Sequence, residues 1–251
     1  MEVLRAWWIT LVAGCSFRLA AGPDGGEVGG DGQGGSDARM SSGSDGALDA
    51  AAHAPTLEDE ATGFGGGATV AATLAQAANL GDVELALVSW NSNVQLTSVI
   101  DTRRNTFTLL DTMVTTGSGS CALYVARVTN TTTPNQVTAT FADNTGSLIE
   151  VAEYTGVTTS SPVDGHVLVL GTGVSASTSS VTTAHAPDVL VGLVAADAMP
   201  AAGAGYTQEA VTAFSLVEDR VAATPGGYTA TATFGSGMAG WCITLAALEG
   251  R

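Results

Sequence analysis

From Gly63 onward, glycine, asparagine, aspartate, serine or proline breaks the chain roughly every 8–12 residues, and short apolar runs fill the intervals, the pattern of an all-β domain. Strands are expected over residues 83–90, 106–111, 121–128, 137–141, 147–154, 167–170, 189–195, 214–221, 228–234 and 241–248. Residues 228–234 (Tyr-Thr-Ala-Thr-Ala-Thr-Phe) alternate with period two, as a strand with one solvated face does. Residues 85–88 and 189–194 are almost continuously apolar, as strands covered on both faces are. No helical periodicity is longer than residues 71–80. Ten or more strands exceed a single immunoglobulin domain. The expected fold is an antiparallel β-sandwich, jelly-roll-like, over residues 64–251.

Residues 16–63 read differently. Their glycine-rich runs carry nine acidic residues against Arg18 and Arg39. So much glycine loses too much backbone entropy on folding for so little apolar surface to offset it. A disordered Gly/Ser/Asp linker is expected there. Of the 24 acidic residues in the whole chain, 14 fall in residues 64–251, and all eight basic residues are arginines. So few cations cannot neutralise a run of phosphates, which excludes a nucleic-acid partner. Gly29-Gly30-Asp31-Gly32 lacks the later aspartate of a calcium-binding nonapeptide and has no tandem copies.

Residues 6–13 (Ala-Trp-Trp-Ile-Thr-Leu-Val-Ala) are apolar, too short to span a bilayer but long enough for the apolar stretch of a signal peptide. They end at Val12-Ala13-Gly14-Cys15, which resembles the bacterial lipobox. That resemblance implies a leader over residues 1–15, cleavage before Cys15 and acylation of the cysteine. Several acyl chains on one residue anchor a protein stably in a membrane. Ser16 in place of aspartate implies the outer membrane or the cell surface of the bacterial envelope. Residues 81–90 (Gly-Asp-Val-Glu-Leu-Ala-Leu-Val-Ser-Trp) look like the opening strand of secreted bacterial β-sandwich modules. Residues 105–109, 122–126, 151–157, 188–192 and 203–207 and the strand at Trp241 extend the likeness. It implies a surface appendage, and no activity is common to such modules. Cys121 and Cys242 are a departure from the pattern.

With Cys15 assigned to lipid, Cys121 and Cys242 remain as a pair in an oxidising compartment, either a disulfide or two small buried hydrophobes. Neither has a histidine close in sequence, so no metal site is expected. His53 falls in the linker, His166 in an Asp164-Gly165-His166 turn and His185 in the loop before Pro187. No Gly-x-Ser-x-Gly elbow occurs. Glu150 and Glu153, three apart on one strand, point to opposite faces and cannot form a glycosidase pair. A charge within an apolar strand needs a partner, and Glu153 with Arg220 is the expected salt bridge. Tyr206 and Tyr154 are the aromatics expected to contact a ligand, while Trp90 and Trp241 suit the core. These readings converge on a non-catalytic cell-surface lipoprotein without cofactor, whose sandwich binds a polysaccharide or a protein. The alternatives are a structural envelope protein and, behind it, a carboxylate-based hydrolase.

Overall fold

The computed structural model describes residues 53–115, 119–235 and 237–251. The leader, Cys15 and the linker up to residue 52 lie outside the described residues. Within them the chain is all-β and every ladder is antiparallel. The strands are β1 (Thr56–Gly65), β2 (Thr69–Leu74), β3 (Val83–Trp90), β4 (Leu96–Asp101), β5 (Phe107–Met113), β6 (Ser120–Arg127), β7 (Asn135–Phe141) and β8 (Ser147–Thr155). After them come β9 (Val163–Gly173), β10 (Ser175–Ser177), β11 (Val181–Thr183), β12 (Asp188–Ala196), β13 (Pro200–Ala202) and β14 (Thr207–Val211). The last four are β15 (Ser215–Ala222), β16 (Gly226–Tyr228), β17 (Thr231–Phe234) and β18 (Ala239–Glu249).

Strand β1 corrects the expected linker boundary at residue 63. Its Glu58, Asp59 and Glu60 are poor core formers, but β1 is an edge strand whose backbone pairs with β8. Charge is what an edge strand carries to avoid pairing with other chains. Likewise the supposed turn at Asp164–His166 is the start of β9.

The sandwich is two sandwiches. Strands β1-β8-β3-β6-β5 form one five-stranded sheet, backed by the three-stranded sheet β2-β7-β4. Strands β9-β18-β12-β15-β14 form a second five-stranded sheet, backed by β10-β17-β13. Each half follows the jelly-roll order, in which strands 1, 8, 3 and 6 face strands 2, 7 and 4, with strand 5 kept on the larger sheet. The extra ladder β11-β16 continues the pairing of β10 with β17.

The match extends to irregularities. Glu58 is an extra residue in β1 opposite β8, and Asp164 is the extra residue at the same place in β9 opposite β18. Leu110 bulges from β5 against β6, and Glu209 bulges from β14 against β15 at the equivalent register. Residues 138–141 of β7 and 231–234 of β17 both read Thr-Ala-Thr-Phe. Bulges at equivalent positions are specified features of a strand pair, so the two halves repeat one structural plan down to its irregularities.

Three cores follow from this layering. Val70, Ala86, Val88, Val137 and Ile149 pack between the two sheets of the first half. Leu190, Val194, Leu216, Ala232 and Ile243 do so in the second. Between the two five-stranded sheets lie Val83, Leu85 and Leu87 of β3 and Val189, Val191 and Leu193 of β12. The central strands are therefore covered on both faces, which is why their sequences are almost uninterruptedly apolar.

The halves point the same way. Cys121 at the start of β6 is disulfide-bonded to Cys242 near the start of β18. The Thr62 and Ser215 hydroxyls are 3.3 Å apart, and the Phe64 and Phe214 rings meet edge to face at 5.8 Å. All three contacts lie at the end carrying the turns β1–β2, β3–β4, β5–β6 and β7–β8 and their second-half equivalents. We call this end the apex. At the opposite end, the base, the His53 N–H donates to the Arg251 carbonyl, so the chain enters and leaves the domain there.

Candidate functional site

Polar chemistry is concentrated at the base. In the first half Arg103, on the turn between β4 and β5, reaches under the sheets and is completely buried. Its Nη1 donates to Glu84 Oε1 at 2.9 Å and to Glu153 Oε2 at 2.6 Å. Nε donates to the Thr132 carbonyl and Nη2 to that of Gln76. Asn135 Nδ2 donates to both Glu84 and Asp101, and Asp101 also accepts from the backbone and side chain of Asn105. Two glutamates share one guanidinium, and burial, followed by repulsion from Asp101 and Glu153, pushes Glu84 up to about 8.

This geometry overturns the expected Glu153–Arg220 bridge. Both residues face the core of their own half, Glu153 on β8 and Arg220 on β15, with the central core between them. Arg220 instead lies between two rings, 5.6 Å from the centroid of Tyr206 and 5.4 Å from that of Tyr228. Beneath it Glu218 is buried and accepts the Gly203 N–H at 2.7 Å, with burial raising its carboxyl to about 7. Its side chain lies over Gly192, where an added Cβ would come within 2.8 Å of Glu218 Cγ.

The two tyrosines expected to touch a ligand are used otherwise. Tyr154 is 0% exposed, in the core between the halves, and its hydroxyl donates to Asp219 Oδ2 at 3.1 Å. An outward position was expected of it because an aromatic at a strand end fits a binding face. The second half covers that face of the strand. Tyr206 is half-buried, donates to the Thr229 carbonyl and offers a ring face to Arg220. Trp90 is buried in the core of the first half, and Trp241 packs against that of the second.

Glu150 and Glu153 do face opposite ways. Glu150 looks into the interface between the halves, where it accepts from Thr62 and burial raises its carboxyl to about 8. At the base of the second half His185 Nδ1 lies 3.1 Å from Asp164 Oδ1. The Asp188 carboxyl is buried nearby, raised to about 7 by burial and by Asp164. A histidine oriented by an aspartate could serve as a general base, but among the described residues no hydroxyl or thiol is hydrogen-bonded to its other ring nitrogen. Also among the described residues, no group of three or more histidine, cysteine, aspartate or glutamate side chains is placed to hold a metal ion.

The apex is apolar. Of the ten large hydrophobic side chains exposed among the described residues, six are there: Phe64, Met113, Val114, Val174, Met199 and Met238, between 37% and 77% exposed. They come from both halves and include all three methionines beyond residue 52. Among the apex loop residues the only charges are Asp143 and Asp197, each of which accepts a backbone N–H. All five arginines of the domain belong to the base or to strand ends that reach it.

No protein family matches the chain, and neither a curated protein nor a solved structure is significantly similar to it.

Proposed function

We propose that the chain is a non-catalytic binding module of the bacterial cell surface, lipid-anchored through Cys15 and carried on residues 16–52 as a tether. The observation that carries the reading is the opposition of the two ends: the chain enters at the base, and the exposed apolar side chains gather at the apex. A domain hung by its base presents its apex away from the anchor. The buried carboxylates support a binding role over a hydrolytic one, because Glu84 and Glu153 are out of contact with solvent and both engaged by Arg103. A protein partner is favoured over a polysaccharide, since Arg220 already covers a face of Tyr206 and of Tyr228. A structural envelope protein is the second reading, favoured by the same apolar apex, which would then be a packing face.

Radiolabelled palmitate fed to producing cells is expected to label the protein, and Cys15→Ser to lose the label and move the protein into the soluble fraction. Unlabelled protein that stays soluble with Cys15 intact would sink the anchor. Residues 16–251, which contain all three cores and the disulfide, are expected to adhere to the surface of producing cells and to lose adherence when Met199 and Met238 become glutamate. Adherence unchanged by that pair would remove the apex from the reading.

A further inference from the structure

We infer that Arg220, clasped between Tyr206 and Tyr228, is a binding site for a carboxylate, which it takes bidentately along the edge of its guanidinium. Residues 64–251 hold fourteen acids and five arginines, so each arginine has ion-pair partners to choose from. Among the described residues only Arg103 takes any. Arg127 and Arg251 donate to backbone carbonyls instead. The guanidiniums of Arg104 and Arg220 meet no acceptor among the described residues. Arg104 is exposed and unsupported, whereas Arg220 is half-buried and fixed, with ring centroids at 5.6 and 5.4 Å. Each ring is itself tied down. The Tyr206 hydroxyl donates to the Thr229 carbonyl and the Tyr228 hydroxyl to that of Thr224.

A guanidinium stacked in this way offers its edge, a fork of N–H donors matched to the two oxygens of a carboxylate. Fixing the fork in advance removes much of the side-chain entropy that binding otherwise costs. The neighbouring turn supplies further unspent donors. Its Tyr206 N–H donates to the Gly203 carbonyl, and Gly205 has a φ of 82°, as the third residue of a type II turn does. The N–H groups of Ala204 and Gly205 meet no acceptor among the described residues. Gly205 lies against the fork, since a Cβ there would stand 3.6 Å from Arg220 Nη1. Nor does the nearest carboxyl on the same strand face occupy Arg220. Glu218 gives Oε2 to the Gly203 N–H and leaves Oε1 buried without a partner. Surrounding charge selects the ligand. One cation stands against Glu218 on its own face and Asp219 and Glu209 on the edge strands. A dianion such as phosphate gains one attraction there and meets several repulsions, while a flat, singly charged carboxylate fits. The site goes beyond the binding-module reading and is separate from adherence at the apex.

The test is a nuclear magnetic resonance titration of nitrogen-labelled residues 16–251, read at the Arg220 Nε–H and the Gly205 amide. Sodium acetate replaces sodium chloride at constant ionic strength, so that screening does not change. A saturable shift of both signals is expected, with a dissociation constant of about 1–20 mM. Inorganic phosphate at pH 7.5 is expected to bind about tenfold more weakly or worse. The Arg104 Nε–H, equally unspent but unsupported, is expected not to saturate below about 200 mM acetate. That comparison lies within one unaltered protein and needs no variant to fold. Arg220→Lys keeps the charge without the fork and is expected to weaken the Gly205 response about tenfold or more. Tyr228→Leu frees one face of the fork and is expected to weaken it about threefold. The amides of Leu216 and Ile243, in the core of the same half, check that each variant is folded. No saturation at Arg220 overturns the inference, as does equal saturation at Arg104, an undiminished response in folded Arg220→Lys, or phosphate bound more tightly than acetate. Sodium glucuronate separates the sources of the carboxylate. Affinity about tenfold above that of acetate marks a sugar acid, and equal affinity marks the carboxylate group itself.

Discussion

Where β3 of the first half carries Glu84, the matching position on β12 of the second carries Leu190. Where β8 carries Glu153, β18 carries Ala247. The two pairs sit at the same register in the same winding, one held by a buried arginine and the other simply apolar. The second half has no counterpart to the turn that sends Arg103 inward. In its place a short Gly-Ala-Gly turn leads to Tyr206, which stacks on Arg220 at the surface. The same winding thus recurs in the second half with apolar side chains at these two positions. What the buried charges add in the first half is a set of directional contacts that fasten the turn at 102–105 to the loops carrying Gln76 and Thr132. The same base is closed in the second half by stacking and by backbone pairing of β11 with β16.

The sharpest way to break this comparison is to remove the cation alone. Arg103→Met leaves Glu84, Glu153 and Asp101 facing one another without a counter-charge, and breaking one partner of a buried pair costs about 3–5 kcal/mol. Unfolding in denaturant is expected to show that loss. Giving the first half the interior of the second, with Arg103→Met, Glu84→Leu and Glu153→Ala together, is expected to recover most of it. If the triple variant were as unstable as the single one, the halves would differ in more than these side chains.

The disulfide tests how far the two halves are one body. Cys121 and Cys242 are 121 residues apart, and a crosslink closing so long a loop is worth about 3–4 kcal/mol. Cys121→Ala with Cys242→Ala is expected to lower stability by that amount. Calorimetry is expected to keep a single transition, because the core between the five-stranded sheets is continuous without the sulfurs. Two separated transitions would show that the bond, and not the shared core, makes the halves cooperative.

Much of this was legible before the structure. Strand β3 has the bounds its sequence predicts, and β6, β8, β12 and β18 fall within two residues of theirs, because doubly covered strands write continuous apolar runs. The thin sheets were harder. Strands β2, β4, β10 and β13 are short and rich in alanine, serine and threonine, with little contrast between faces. The repeat of the two halves shows in the sequence at two places, the recurring Thr-Ala-Thr-Phe and the Asp-Val that begins at Asp82 and again at Asp188. Neither stands out in a chain with 33 threonines. The residues flanking them share only an inward or outward character, which many sequences satisfy. Arg103 was missed because Arg103-Arg104 reads as a solvated turn. Its partners lie 19 and 50 residues away, and only the winding brings them together. The available signal was that Glu84 and Glu153 each interrupt an apolar strand, so each needed a buried partner.

The interior carboxyls give the comparison a pH dependence weighted toward the first half and its interface. Glu84 and Glu150 are both raised to about 8 against an ordinary glutamate value of 4.5, chiefly by burial. Between those values the folded chain holds protons that the unfolded chain releases, so stability falls as pH rises. The contribution is complete below about 4.5 and is lost through pH 8, with Glu218 and Asp219 adding in the same direction. Between pH 8.5 and 5.5 the gain is expected to be on the order of 2–4 kcal/mol, a Tm rise of ~5–10 °C. Thermal melts across that range check it. Replacing both by amides, Glu84→Gln with Glu150→Gln, is expected to flatten most of the slope. A slope unchanged in that variant would move the effect to Glu218, Asp188 and the second half.

The smallest change expected is at Tyr206. Its first-half equivalent is Phe107, which occupies the same place on β5 that Tyr206 holds before β14 and packs on the core without any hydroxyl. Tyr206→Phe removes the donor to the Thr229 carbonyl but keeps the ring over Arg220, and a single partly solvated hydrogen bond is worth about 1 kcal/mol. Tyr206→Ala removes the ring as well and is expected to cost two to three times as much, from packing and from the lost stack. Neither change lies near the apex, so neither is expected to alter adherence to cells. If Tyr206→Phe left stability untouched while Tyr206→Ala abolished adherence, the base of the second half would be the binding face, and the apolar apex would have to be explained by assembly alone.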